Sequence, residues 1–149
     1  MKIYVVDDVE CIRDSFEMHL ELLGHQVEKC EEPVFCDLYT GECCSKDTPC
    51  ADLVLLDYRL PKIDGLELAQ RIREQGCCEL VTNIVIMTGD VTPIDPRDID
   101  RVGCRLEQKP LTLRTLDRIL QDAEELIELN RNRAKLSASE QQQSPRQTI

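Results

Sequence analysis

The thirteen residues Leu53–Gly65, LVLLDYRLPKIDG, restrict the fold more than any other stretch of this chain. Four apolar residues end abruptly in Asp57, a proline-bearing loop follows, and Asp64–Gly65 opens a helix. A short, continuous apolar run bounded by turn signals suits a strand buried on both faces, as in a parallel sheet. Such a strand delivers Asp57 to the carboxyl edge of the sheet, where open α/β folds place their sites. A carboxylate there can serve as a nucleophile, a metal ligand or a helix cap. The other strands decide between these.

Ile3–Asp8 (IYVVDD) reads as a first buried strand ending in paired carboxylates. In Cys11–Leu23, Ile12, Phe16, Leu20 and Leu23 stand at helical spacing, with Gly24 as the stop. Gln26–Cys30 is a weak strand suited to a sheet edge. Pro33–Thr40 reads as a short helix, and Glu42–Ala51 as an irregular loop. Gly65–Gln75 carries Leu66, Ala69 and Ile72 on one face and is stopped by Gly76. Asn83–Thr88 (NIVIMT) is another buried strand with a polar end. Asp95–Pro96, a cap followed by a first-turn proline, starts a helix to Val102. Arg105–Lys109 is the last strand, and Thr112 caps a long final helix. Beyond Leu136 the polar tail has the composition of disorder. Five strands alternating with five helices predict an α/β fold. Its parallel sheet has right-handed crossovers and helices on both faces.

Composition narrows the function classes. With 149 residues there is room for one ordinary domain. Aromatics are only 3% of the chain, so aliphatic side chains must fill the core. The last twenty residues set Arg131, Arg133, Lys135 and Arg146 against Glu140, a balance of +3, which leaves −14 of the total −11 on Met1–Leu129. A body that acidic repels DNA and anionic lipid. No apolar run reaches the ~18 residues of a membrane span, and none resembles a secretory core. Nine cysteines without an export signal point to reduced thiols or a metal, and to the cytoplasm. The glycines form no nucleotide-binding arrangement.

Four strands end in chemistry: Asp7 and Asp8, Asp57, Thr88, and Lys109 before Pro110. Parallel strands bring their carboxyl ends together, so these groups converge on one crevice. Three carboxylates so close repel, and one is protonated unless a cation is present. Hard oxygen ligands with few neighbours suit Mg²⁺, which keeps several waters and leaves positions for a phosphoryl group. An Asp can then attack phosphorus to give an acyl phosphate, while metal, hydroxyl and ammonium neutralise the transferring oxygens. Taken singly, each residue has a plainer reading: helix cap for Asp7 or Asp57, turn residue for Thr88, surface charge for Lys109. Their joint occurrence on separate strand ends favours the chemical one.

The pieces VVDD, LLDYRLPKIDG, VIMTG and QKP, in this order and spacing, resemble the receiver domain of a bacterial response regulator. The resemblance runs from Ile3 to about Leu129, so residues 1–129 are expected to form the receiver and 130–149 a helix extension with a polar, disordered tail. It implies the flavodoxin-like sheet order 2-1-3-4-5. It makes Asp57 the acceptor of a phosphoryl group from the phosphohistidine of a histidine kinase or phosphotransfer protein. Asp8, Asp57 and the Arg59 carbonyl would bind Mg²⁺ directly, with Asp7 acting through water. Thr88 would hydrogen-bond the phosphoryl group and Lys109 pair with it, across a cis Lys109–Pro110 peptide. The chain is then a two-component, phosphorelay signalling protein rather than an enzyme, catalysing only its own phosphorylation and dephosphorylation. A stand-alone receiver is expected, its output passing through a partner, onward phosphotransfer or a homodimer. The responding face would be the fourth helix, fifth strand and fifth helix.

Two positions depart from the family pattern. Leu106 stands where a Tyr or Phe usually couples phosphorylation to readout, and Gly89 follows Thr88 where Ala is commoner, giving room beside the phosphoryl group. Arg59 and Asp90, each two residues past a site residue, are expected to pair across the mouth and obstruct the attacking water. The plainer expectation is an exposed pair worth about 0–1 kcal/mol. Loops entering the strands gather Cys43, Cys44, Cys50, Cys77, Cys78 and Cys104 at the opposite end of the sheet. That grouping supports an alternative, a thiol- or metal-responsive module on a receiver scaffold, although no recognised CxxC spacing occurs. An aspartyl phosphatase needs a second Asp where this chain has Arg59. In the final helix Leu113, Leu116, Leu120, Ala123, Ile127, Asn130 and Ala134 follow a heptad. Its first half belongs to the core, and Ile127–Ala134 extends towards a dimer contact.

Overall fold

The computed structural model describes residues 1–31, 51–74 and 83–141, the last four by backbone alone. Strands β1 (Lys2–Val6), β2 (Gln26–Cys30), β3 (Leu53–Asp57), β4 (Asn83–Thr88) and β5 (Arg105–Gln108) form one sheet in the order β2-β1-β3-β4-β5. Every pairing is parallel, with Ile3 beside Leu53, Leu55 beside Val85 and Thr88 beside Gln108. The four described helices are α1 (Glu10–Leu22), α2 (Gly65–Glu74), α3 (Pro96–Val102) and α4 (Leu113–Gln141). The helix expected at Pro33–Thr40, nearly all of the following loop, and the stop at Gly76 lie outside the described residues.

The pleat of the central strands explains the layering. Alternate residues point to opposite faces of a strand. Tyr4, Val6, Val54, Leu56, Ile84 and Ile86 therefore pack with Leu68, Ala69 and Ile72 of α2 and Ile99 and Val102 of α3. Ile3, Val5, Leu53, Leu55, Val85 and Met87 pack with Phe16 and Leu20 of α1 and Leu116, Ile119 and Leu120 of α4. β3 is buried along its whole length, as its unbroken apolar run requires.

Several boundaries differ from the sequence reading. β1 ends at Val6, not Asp8: the Asp7 N–H still donates to the Cys30 carbonyl at 3.2 Å, but its carboxylate then accepts from Val9 N at 2.9 Å and turns the chain into α1. Gly24, at φ +84°, closes the turn after α1 in the left-handed region that favours glycine. Asp95 caps α3 through a 2.9 Å bond from Arg97 N, with Pro96 next, as the sequence predicts. Thr112 accepts from Thr115 N at 3.1 Å at the start of α4. That helix continues to Gln141, correcting the disorder expected immediately beyond Leu136. Residues 137–141 contain neither Gly nor Pro, and Ser137 Oγ bonds back to the Ala134 carbonyl at 2.9 Å. No described helix is long and apolar enough to cross a membrane.

Candidate functional site

The carboxyl ends of β1, β3, β4 and β5 meet at one crevice. Asp7 is wholly buried, Asp57 is 6% exposed and Thr88 1% exposed, while Asp8 is open to solvent. One carboxylate oxygen from each of Asp7, Asp8 and Asp57 lies within 4.8 Å of the others. Lys109 sits between the two buried acids, its Nζ 2.6 Å from Asp7 Oδ2 and 3.0 Å from Asp57 Oδ1. Backbone pairing carries it there: Lys109 N donates to the Thr88 carbonyl at 2.7 Å, and the Lys109–Pro110 peptide is cis.

Charge and burial compete in this crevice. Removal from water pushes the Asp57 carboxyl above its usual range, opposed by the hydrogen bond and charge of Lys109 and by a backbone bond from Arg59. Burial works to lower Lys109, yet its bonds to Asp7 and Asp57 outweigh it and hold the ammonium above its ordinary value. Lys109 therefore supplies part of the cation that three clustered carboxylates require. The donor set also fits a hard divalent ion: three carboxylates, no sulfur or nitrogen, and an exposed Asp8 on the side where water can complete the shell.

The loop after Asp57 is fixed from both ends. Tyr58 N donates to the Met87 carbonyl and Gly65 N to the Tyr58 carbonyl, each at 2.8 Å, and the backbones of Arg59 and Asp64 form an isolated antiparallel β-bridge. Asp64 caps α2 by accepting from Glu67 N at 2.8 Å. A side chain at Gly65 would bring its Cβ to 2.5 Å from the Asp57 carbonyl oxygen, so glycine is what lets α2 start against the site strand. The Gly65 approach and Arg13, whose guanidinium donates to the Asp7 carbonyl at 2.6 Å, both escaped the sequence reading. A cation one turn into the helix after a paired Asp was the available signal for Arg13.

Other sequence expectations divide. The Thr88 hydroxyl is turned to its own loop, donating to the Asp90 carbonyl at 2.8 Å. Arg59 and Asp90 do not form the expected ion pair. Asp90 instead accepts from Thr92 N at 2.9 Å, and its carboxyl is held low mainly by Thr92, with the Arg59 charge a lesser influence. The short Asx turn satisfies Asp90 locally. Nothing within 4 Å occupies the space a Gly89 Cβ would take. Leu106 is half-buried and packs on the α2–α3 face of the sheet. Of the six clustered cysteines only Cys104 is described. Burial pushes its thiol up to about 11, a poor state for redox or metal chemistry. Cys43, Cys44, Cys50, Cys77 and Cys78 lie outside the described residues.

A family model, the response regulator receiver domain, matches residues 3–121. The chain belongs to this family. Among curated relatives, the response regulator MprA of Mycobacterium leprae is 33% identical over 76 residues, 51% of this chain and 31% of that protein. The alkaline phosphatase synthesis transcriptional regulatory protein PhoP of Bacillus subtilis is 35% identical over 89 residues, 58% of this chain and 32% of that one. The matched segment thus spans about a third of these relatives. The chemotaxis protein CheY4 of Vibrio cholerae shares the fold, with a TM-score of 0.67 at 24% identity over 82% of this chain and 97% of that one. The receiver domain of the sensor histidine kinase PA1611 of Pseudomonas aeruginosa, solved with magnesium in its active-site cleft, gives 0.64 at 26% identity, covering 81% and 94%.

Proposed function

We propose that residues 1–129 form a phosphorylatable switch in which Asp57 accepts a phosphoryl group from a phosphohistidine of a histidine kinase or phosphotransfer protein. The observation that carries this reading is the cluster of Asp7, Asp8 and Asp57 oxygens within 4.8 Å, clasped by Lys109. Asp8, Asp57 and the Arg59 carbonyl would hold Mg²⁺, with Asp7 contributing through water. Bound there, the ion would offset charge on the transferring oxygens.

The side chains then have distinct tasks. An ionised Asp57 oxygen attacks phosphorus in line, an acyl–phosphate bond forms, and the nitrogen–phosphorus bond breaks, its electron pair returning to the donor imidazole. Burial of Asp57 limits water access to the acyl phosphate. Lys109 Nζ, already between Asp7 and Asp57, follows the added charge to a phosphoryl oxygen. Thr88 gives up its bond to the Asp90 carbonyl and donates to another phosphoryl oxygen. These contacts exist in only one conformer and shift its population. The surface that answers is α3, β5 and α4, which presents a partner-binding or self-association face. The strongly acidic body argues against direct DNA binding by this domain and suits a cytoplasmic phosphorelay.

The test is intact-mass spectrometry after incubation with a small phosphodonor. A Mg²⁺-requiring adduct of about 80 Da, absent in Asp57→Asn, is the expected result. An adduct that survives Asp57→Asn, or forms equally well with the metal chelated, overturns the assignment.

A further inference from the structure

Asp8 is the least supported member of the acidic cluster. Asp7 beside it is held at every polar atom: its N–H donates to the Cys30 carbonyl at 3.2 Å, Oδ1 accepts from Val9 N at 2.9 Å, Oδ2 accepts from Lys109 at 2.6 Å, and its carbonyl accepts from Arg13 at 2.6 Å. Asp57 is fixed by its place on β3 and by Lys109. Asp8 lies exposed in the bend between β1 and α1, and among the described residues no hydrogen bond or ion pair reaches its carboxylate. Nor does a side chain cap α1, which begins at Val9. The direction of Asp8 is therefore set by the backbone on either side of it.

Arg13 holds that backbone on both sides. Its guanidinium binds the carbonyl of Asp7, in the peptide that leads into Asp8, and its own N–H donates to the Val9 carbonyl at 3.3 Å, one residue beyond. The second contact is the ordinary bond of a first helical turn. The first is a side-chain bond across six residues from a charged donor, a stronger class than neutral pairs. A cation so near the start of a helix opposes the helix dipole, and it repels any cation brought to the acids. No ion pair of Arg13 offsets either effect among the described residues.

We propose that Arg13 is a positioning residue for the divalent ion. By clamping the Asp7 carbonyl it sets the direction in which Asp8 presents its carboxylate towards Asp57. The inference rests on the reading of Asp8 and Asp57 as Mg²⁺ ligands and adds a residue outside that ligand set. The side chain has two effects of opposite sign. As a charge beside the acids, it weakens cation binding, and its removal would tighten Mg²⁺. As a clamp, its removal lets Asp8 sample other orientations, and ordering them then opposes binding. Partners behind a metal ligand typically contribute about 10–100-fold in affinity. Arg13 acts through the adjoining peptide rather than on the ligand itself, which places it at about tenfold, the lower end of that range.

Calorimetric titration of the chelator-stripped full chain with MgCl₂, with Asp8→Asn as the blank, measures this without any phosphodonor. Arg13→Met keeps the aliphatic stem but neither charge nor donor, and it should bind Mg²⁺ about tenfold more weakly than wild type. Arg13→Lys, which retains the charge and an ammonium donor, should recover part of that loss. Ile12→Ala loosens the packing of α1 on the sheet without touching the Asp7 carbonyl. It should unfold at lower urea concentration yet bind Mg²⁺ as wild type does. Phosphorylation of Arg13→Met should need correspondingly more Mg²⁺ and reach the wild-type rate once the ion is saturating. Unchanged or tighter Mg²⁺ binding by Arg13→Met, or an equal loss in Ile12→Ala, overturns the role of Arg13 and leaves the metal site standing. A wild type that binds no Mg²⁺ beyond the Asp8→Asn blank overturns the metal site, and the role of Arg13 with it.

Discussion

Lys109 is the residue on which the electrostatics of the crevice turn. It satisfies two acids at once, one wholly buried and one 6% exposed, and no other cation reaches either carboxylate as closely among the described residues. Removing one partner of a buried charge pair leaves the other uncompensated. Because Lys109 itself is 20% exposed, water moderates the loss, and Lys109→Ala is expected to destabilise the metal-free protein by about 1–2 kcal/mol. A divalent ion bound at the same carboxylates would replace the missing charge. Mg²⁺ should therefore raise the Tm of Lys109→Ala by more than it raises the wild type, as binding to the folded state alone requires. Thermal melts with Mg²⁺ and with chelator check this. An equal rise in both proteins would mean that the ion and the ammonium do not share these carboxylates.

At the scale of elements, the site depends on how closely α2 approaches the end of β3. Gly65→Ala would force its Cβ against the Asp57 carbonyl oxygen at 2.5 Å and the Tyr58 Cα at 3.0 Å, both backbone atoms that yield little. Overpacking of this kind costs typically about 1–3 kcal/mol, and it displaces Asp57 along with its strand. Chemical denaturation should show that loss, and the yield of phosphorylated protein should fall with it. Gly89→Ala, with open space at its Cβ, should change stability by less than about 0.5 kcal/mol. The contrast bears on what the sequence made legible. β3 and β4 were readable because apolar runs ending in a polar residue are a strong local signal, and their expected bounds match. The Asp95–Pro96 start of α3 was readable because a cap followed by proline has a single structural use. The value of Gly65 was not, since the need for glycine comes from a strand neighbour seen only once the chain is folded. The Arg59–Asp90 pairing failed for a related reason: sequence offsets placed the two at one mouth, but Asp90 is satisfied first by the nearby Thr92 amide.

For the whole molecule, the question is how the proposed phosphorylation of Asp57 would reach a surface. Thr88 ends β4, lies beside Gln108 of β5, and begins the loop that leads to Asp95 and α3. Its hydroxyl now bonds to the Asp90 carbonyl, so engaging a phosphoryl oxygen requires that loop to rearrange. A hydrogen bond to a charged group contributes about 1.5–3 kcal/mol. Contacts from Thr88 and Lys109 together therefore supply about 3–6 kcal/mol, comparable with the ~5.5 kcal/mol that converts a 1:99 population to 99:1. Lys109 alone falls short of that. Thr88→Ala should accordingly still accept the phosphoryl group, because the nucleophile and its acidic neighbours are intact. The change in amide hydrogen exchange on phosphorylation over Gly89–Gln108 should fall to less than about half of the wild-type change. If Thr88→Ala retains the full exchange response, the signal leaves the site through Lys109 and the α4 end of the crevice instead, and the β4–α3 loop is not the path.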